Sequence, residues 1–210
     1  MRVYLSKDAN EILIKYIKTY TEDIVFVENN GTYPAINNHP DIAMCQLGNE
    51  IFLGDKNKIG YNYPKDIIYN GACTGSYFIH NLKYTDEDLL KKVNSIGLKP
   101  INVKQGYTKC SVVTLGKDAI ITSDLGIAKA CKHHMSVLTI SPGHINLPGM
   151  TYGFIGGCSG IIGDTVIFNG NLQKHPDFEI IVEFIKSKNM KVKWFTQYEL
   201  TDIGSILVEQ

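Results

Sequence analysis

The apolar and polar positions fall into their clearest order between residues 107 and 140. A β-branched run at 110–115 meets Gly116 and Lys117, and a second apolar run follows at 119–121. Glycine at the first central position predicts a two-residue type II′ hairpin, whose twist matches that of paired strands. Thr122, Ser123 and Asp124 then precede Leu125, Ile127, Ala128 and Cys131. Those four residues share one face of a helix, and Asp124 stands where its N-cap is expected. Residues 136–140 close as a third strand. The stretch reads strand, hairpin, strand, helix, strand.

The same order recurs along the chain. Residues 41–55 repeat the hairpin with Gly48-Asn49 at its turn and Asp55 in the capping position. A linker at 56–63 then replaces the helix before a strand at 67–69. Residues 72–81 make a looser copy, with a helix opening at Thr85 under acidic residues, favourable at the positive end of its dipole. That helix ends near Gly97 and a strand at 99–103 follows. After a Gly/Pro-rich loop at 141–149 a further copy turns at Gly163, continues into a helix at 178–187 and closes at 191–195. The N-terminus begins inside the pattern: a strand at 2–6, a helix at 9–19 capped by Ser6 or Asp8, and a strand at 24–27. Residues 202–210 supply a lone first strand, the piece that the N-terminus lacks. Pairing the two termini completes a fifth unit and removes both free sheet edges. The pattern therefore predicts one α/β domain over residues 1–210, an α/β-propeller of five ββαβ units closed by the C-terminal strand on the N-terminal segment.

Composition narrows the function classes. The 210 residues carry 21 Lys and Arg against 21 Asp and Glu. Without clustered basic residues, a nucleic-acid or membrane surface is not expected. The start lacks a signal peptide's apolar run, and no stretch approaches the ~20 apolar residues of a membrane span. Five cysteines without a C-x-x-C pair suggest neither a disulfide framework nor a zinc motif. A cytoplasmic protein with no metal or cofactor is the expectation. No G-x-G-x-x-G, G-K-[ST] or G-x-S-x-G occurs, which removes the common dinucleotide, nucleotide and hydrolase-elbow readings.

The H-P-D-I of 39–42, G-Y-T-K-C-S of 106–111, I-T-S-D of 121–124, Y-G-F-I-G-G-C of 152–158, H-P-D-F of 175–178 and D-I-G-S-I of 202–206 resemble the pentein, or guanidino-group-modifying-enzyme (GME), superfamily. More narrowly, the chain is similar to a bacterial, clostridial-type family of unknown function assigned to that fold. The resemblance implies five ββαβ units about a pseudo-fivefold axis. In the superfamily's enzymes a Cys attacks a guanidinium carbon, a His carries protons and carboxylates hold the cation. Their Cys lies near the C-terminus, whereas residues 201–206 here contain none. Non-catalytic members, among them a ribosome anti-association factor, imply the alternative of a protein or ribonucleoprotein partner.

Under this resemblance, chemistry is expected where the five inner strands begin. Cys158, in a glycine-flanked stretch, and Cys73 are the candidate nucleophiles, each equally explained as a buried thiol. His39 and Asp41 form an H-x-D that on an extended strand puts both side chains on one face, as proton carrier and cation ligand. Asp202, Ser159 and Lys109 fall at other strand starts, and Asp124 at the rim, as substrate-binding candidates. The H-P-D at 175–177 is explained by a helix start, His144 by a surface loop, and His133-His134 by a helix end. The expected ligand is a cationic, guanidino- or amino-acid-like small molecule, handled by an amidinohydrolase-like activity. Oligomeric state is left open.

Overall fold

Asp124 caps as its position predicts: its carboxylate accepts the Ile127 N–H at 2.8 Å. Asp86 does the same for Asp88 and Leu89, and Asp55 for Asn57. Between such caps and turns the structure, a computed structural model describing residues 1–210, builds short strands and helices. The chain opens with β1 (Arg2–Ser6), α1 (Glu11–Ile17), β2 (Ile24–Val27) and α2 (Pro40–Ala43). It continues through β3 (Met44–Leu47), β4 (Glu50–Leu53), β5 (Ala72–Cys73), β6 (Tyr77–His80), α3 (Glu87–Ser95) and β7 (Lys99–Asn102). Next come α4 (Thr108–Ser111), β8 (Val112–Leu115), β9 (Ala119–Thr122), α5 (Leu125–Cys131) and β10 (Ser136–Thr139). The remainder is β11 (Ser159–Ile162), β12 (Thr165–Phe168), α6 (Phe178–Ser187), β13 (Lys191–Lys193) and β14 (Leu207–Glu209).

The fold is mixed α/β with five small sheets, none closed into a barrel: β14-β1-β2, β3-β4, β5-β6-β7, β8-β9-β10 and β11-β12-β13. In every three-stranded sheet an antiparallel pair is followed by a strand parallel to the second. A parallel partner requires a long crossover, and α1, α3, α5 and α6 supply it. The termini pair as expected, Arg2 opposite Glu209 and Tyr4 opposite Leu207.

Each of the five apolar clusters joins two sheets that are neighbours in the chain. Val112 and Ile120 pack with Ala72 and Ile79; Val113 and Ile121 pack with Val166 and Phe168. Ile162 and Ile167 meet Val3 and Leu5, and Cys45 and Leu47 meet Phe78. The last cluster, Tyr4, Val27, Met44 and Leu207, joins the sheet of the termini to β3.

Local expectations are corrected in several places. Asn10, not Ser6 or Asp8, caps α1, its Oδ1 accepting from Ile12 N–H at 2.9 Å. Residues 67–69 are not a strand; no helix carries the chain back beside β4, and Ile67 and Tyr69 fill the core from irregular backbone. The loop after β8 holds three residues, because Leu115 pairs with Ala119. The two-residue turns at Gly48-Asn49 and Gly163-Asp164 do show positive φ at the glycine alone, the type II′ sign. Residues 202–205 are not strand either, since Gly204 and Ser205 both take positive φ. No helix is long and apolar enough to cross a membrane.

Leu207 is fully buried at the junction of the terminal sheet with β3. Leu207→Ala is expected to cost about 2–5 kcal/mol of unfolding free energy in urea titrations. A loss below about 1 kcal/mol would show that this seam is not packed as described.

Candidate functional site

Two single helical turns, each leading into a strand, present the central residues. Pro40 fixes the first turn of α2 and leaves His39 extended before it, so His39 and Asp41 do not lie on an extended strand as expected. Both are nevertheless buried. In the same way α4 carries Lys109 and Cys110 ahead of β8. Asn70 ties the two turns together: its Oδ1 accepts from the Lys109 N–H at 2.9 Å and the Cys110 N–H at 3.3 Å. Its Nδ2 donates to the Asp41 carbonyl at 3.0 Å.

Asp41 Oδ2 accepts from the Ser205 hydroxyl at 2.7 Å and from the Cys110 thiol at 3.1 Å. Its Oδ1 has no partner. Ser205 in turn accepts from Lys109 Nζ at 3.0 Å, so one hydroxyl links the ammonium to the carboxylate. Asp202 is held by backbone: Oδ1 accepts from Gly204 N–H and Oδ2 from Phe154 N–H, each at 2.9 Å. Gly157 permits this approach, because a Cβ there would overlap the Asp202 carboxylate. His39 Nδ1 stands 3.8 Å from Asp202 Oδ1 with no hydrogen bond of its own. One heteroatom each from His39, Cys110 and Asp202 lie within 4.8 Å of one another. Nitrogen, sulfur and oxygen donors so grouped are a set that zinc accepts; chain spacing gave no hint of it, because the three residues come from distant parts of the sequence.

Burial dominates the electrostatics. It raises the Asp41 carboxyl, with Asp202 adding to the rise and His39 and Lys109 opposing it. It pushes Asp202 up to about 6, against the pull of the Gly204 and Phe154 N–H groups. It lowers His39 and Lys109, each partly restored by Asp41. Cys110 is raised well above a free thiol, first by burial and then by the charges of Asp41 and Asp202. The resting thiol is therefore protonated and donates to Asp41. A cation placed against it would reverse the balance.

Cys110 also lines a cavity of about 280 Å³, with Tyr33, Tyr107, Tyr152, Phe154 and Leu147 around it. The Tyr33 and Tyr107 hydroxyls lie 3.0 Å apart, and Tyr107 donates to buried Asp66. His39, Asp41 and Asp202 do not line this cavity.

The other candidates fall elsewhere. Cys158 is fully buried in the largest apolar cluster, its thiol donating to the Ile155 carbonyl. The Cys73 thiol donates to the Thr74 carbonyl. Neither is hydrogen-bonded to a histidine or a carboxylate. Ser159 Oγ donates to the Gly156 carbonyl at 3.1 Å. Both Asp124 oxygens are used locally, by the Ile127 N–H and by Gln105. His144 packs edge-on against His175 at 5.3 Å. The thiol that meets a carboxylate is Cys110, which the sequence sets at the head of an apolar run and in the G-Y-T-K-C-S stretch without marking it as a candidate. The residue that locates it, Asn70, carries no motif at all.

Over residues 4–207 the chain matches a family of unknown function (DUF6873), and it belongs to that family. No curated protein and no solved structure matches it.

Asp202 titrates near 6 when folded and near 3.9 when unfolded. The folded chain thus binds the proton more tightly from about pH 4 to about pH 6, and stability falls as pH rises through that window, by roughly 2–3 kcal/mol at most. In paired urea titrations Asp202→Asn is expected to lack this slope. Equal slopes in the two proteins would overturn the assignment.

Proposed function

We propose that the five sheets are the blades of a pentein-like α/β-propeller whose axial site binds a cationic, guanidino- or amino-acid-like small molecule and hydrolyses it through Cys110. The propeller reading is supported by the cyclic order of the five apolar clusters, in which the last sheet meets the first. The observation that carries the functional reading is the convergence of Cys110, His39, Asp41 and Asp202 beneath a tyrosine-lined cavity that Cys110 itself reaches. Tyrosine and phenylalanine faces attract a cation by about 0.5–2 kcal/mol each. The two buried carboxylates add a field of the same preference.

A cation over Cys110 lowers the cost of the thiolate, and Asp41 Oδ2, already hydrogen-bonded to the thiol, is placed to take its proton. As sulfur bonds to the guanidinium carbon, that proton passes to Asp41. Asp41 delivers it to the departing amine as the C–N bond breaks. Water then cleaves the S–C bond, restoring the thiol and leaving a ureido product. Here Cys110 takes the role first sought in Cys158 and Cys73.

Agmatine and arginine, titrated into the protein by calorimetry at millimolar concentration, are expected to bind, with ureido product accumulating. Cys110→Ser should retain binding and lose product formation by at least about 10³-fold. Asp41→Asn should weaken binding by about tenfold or more, as loss of a buried charge partner does. Absence of both heat and product with every guanidine tried would sink the reading.

A further inference from the structure

A second cavity, of about 300 Å³, shares no residue with the one at Cys110. Its rim is made by hairpin turns: Gly48-Asn49 between β3 and β4, Gly75 between β5 and β6, Gly116 after β8 and Gly163 after β11. Ile206, just before β14, completes a contribution from all five sheets. Lys109 is the one charged side chain that lines it.

The surroundings of Lys109 are unusual for a half-buried ammonium. Of its three donors, one reaches Ser205 Oγ at 3.0 Å and another the Gly156 carbonyl only at 3.5 Å. No carboxylate lies within the 4.0 Å of an ion pair. Asp41 answers the charge only through the Ser205 hydroxyl. An ammonium with one donor free and no contacting anion leaves its charge for a ligand to answer. The cavity wall offers no acidic side chain to supply one. It does offer Asn49 and Thr114, whose side chains are in no hydrogen bond within the protein.

We propose that this cavity binds a small oxyanion, a carboxylate or phosphate group, paired with the Lys109 ammonium and hydrogen-bonded by Asn49 and Thr114. The volume admits a ligand of a few heavy atoms beyond the anionic group itself. A low-dielectric wall around one cation concentrates the field on such a ligand. The site is distinct from the cationic site at Cys110 and does not rest on the chemistry proposed there.

The test is calorimetry and thermal unfolding with inorganic phosphate and with malonate, in buffer free of other multivalent anions. One or both anions are expected to bind at millimolar concentration or below and to raise the unfolding temperature. Binding of phosphate alone assigns a phosphoryl ligand, of malonate alone a carboxylate ligand. Lys109→Met should weaken binding at least tenfold. Thr114→Phe keeps Lys109 and fills the cavity from its wall, so it should weaken binding equally and decides the matter if the lysine variant does not fold. The proposal is overturned if neither anion binds the wild type, or if Thr114→Phe binds as the wild type does.

Discussion

One hydroxyl group holds the centre of this molecule in place. Ser205 accepts from the half-buried Lys109 ammonium and donates to the buried Asp41 carboxylate, so two opposite charges are joined without touching. At an effective dielectric of 20 such a separation is worth on the order of 3 kcal/mol before desolvation is counted. The hydroxyl reaches that position only because Ser205 adopts φ of 72°, a conformation that costs a non-glycine residue about 1–3 kcal/mol. The electrostatic gain and the backbone cost are of similar size. The arrangement therefore depends on the packing around it, and it fixes the Lys109 ammonium relative to the Asp41 carboxylate.

That packing is distributed. The turn that carries Asp41, the turn that carries Cys110, the backbone that receives Asp202 and the loop that carries Ser205 belong to separate sheets or lie between them. Their mutual positions follow from the seams where one sheet meets the next. A defect in any seam would be felt at the centre as a displaced donor. Asn70, with both ends of its amide engaged, is the clearest local example: it fixes the distance between α2 and α4 from a segment that is neither helix nor strand.

The regular elements were largely legible in the chain because period, turn glycines and capping aspartates act over a few residues. Asp55 and Asp124 cap where such residues should, Asp86 caps a helix expected to open at Thr85, and Phe178–Ser187 is the helix its apolar spacing implies. The pairing of the termini was also readable, since each end carried the half that the other lacked. What escaped the sequence depends on distant contacts. Residues 67–69 have strand composition but are packed as core filling. His39 and Asp41 have strand spacing but are reorganised by Pro40 into a turn. Cys110 looks like any apolar-run cysteine until Asp41 and Asn70 are brought to it. The lesson for the site is narrow: strand-start positions single out His39, Asp41, Lys109 and Asp202, which the fold gathers around Ser205 and Cys110, but say nothing of which thiol faces a carboxylate.

The pairing of Arg2–Tyr4 with Leu207–Glu209 also sets an order of events. Residues 2–27 are made well before residues 207–209, and their sheet stays one strand short until those have followed. Until then β1 presents an open edge, and the seam between β1 and β3 lacks Leu207. Sheets such as β5-β6-β7 and β8-β9-β10 draw their strands from short stretches of chain and can assemble during synthesis. The seam between β1 and β3 therefore closes late, once residues 207–209 have been made.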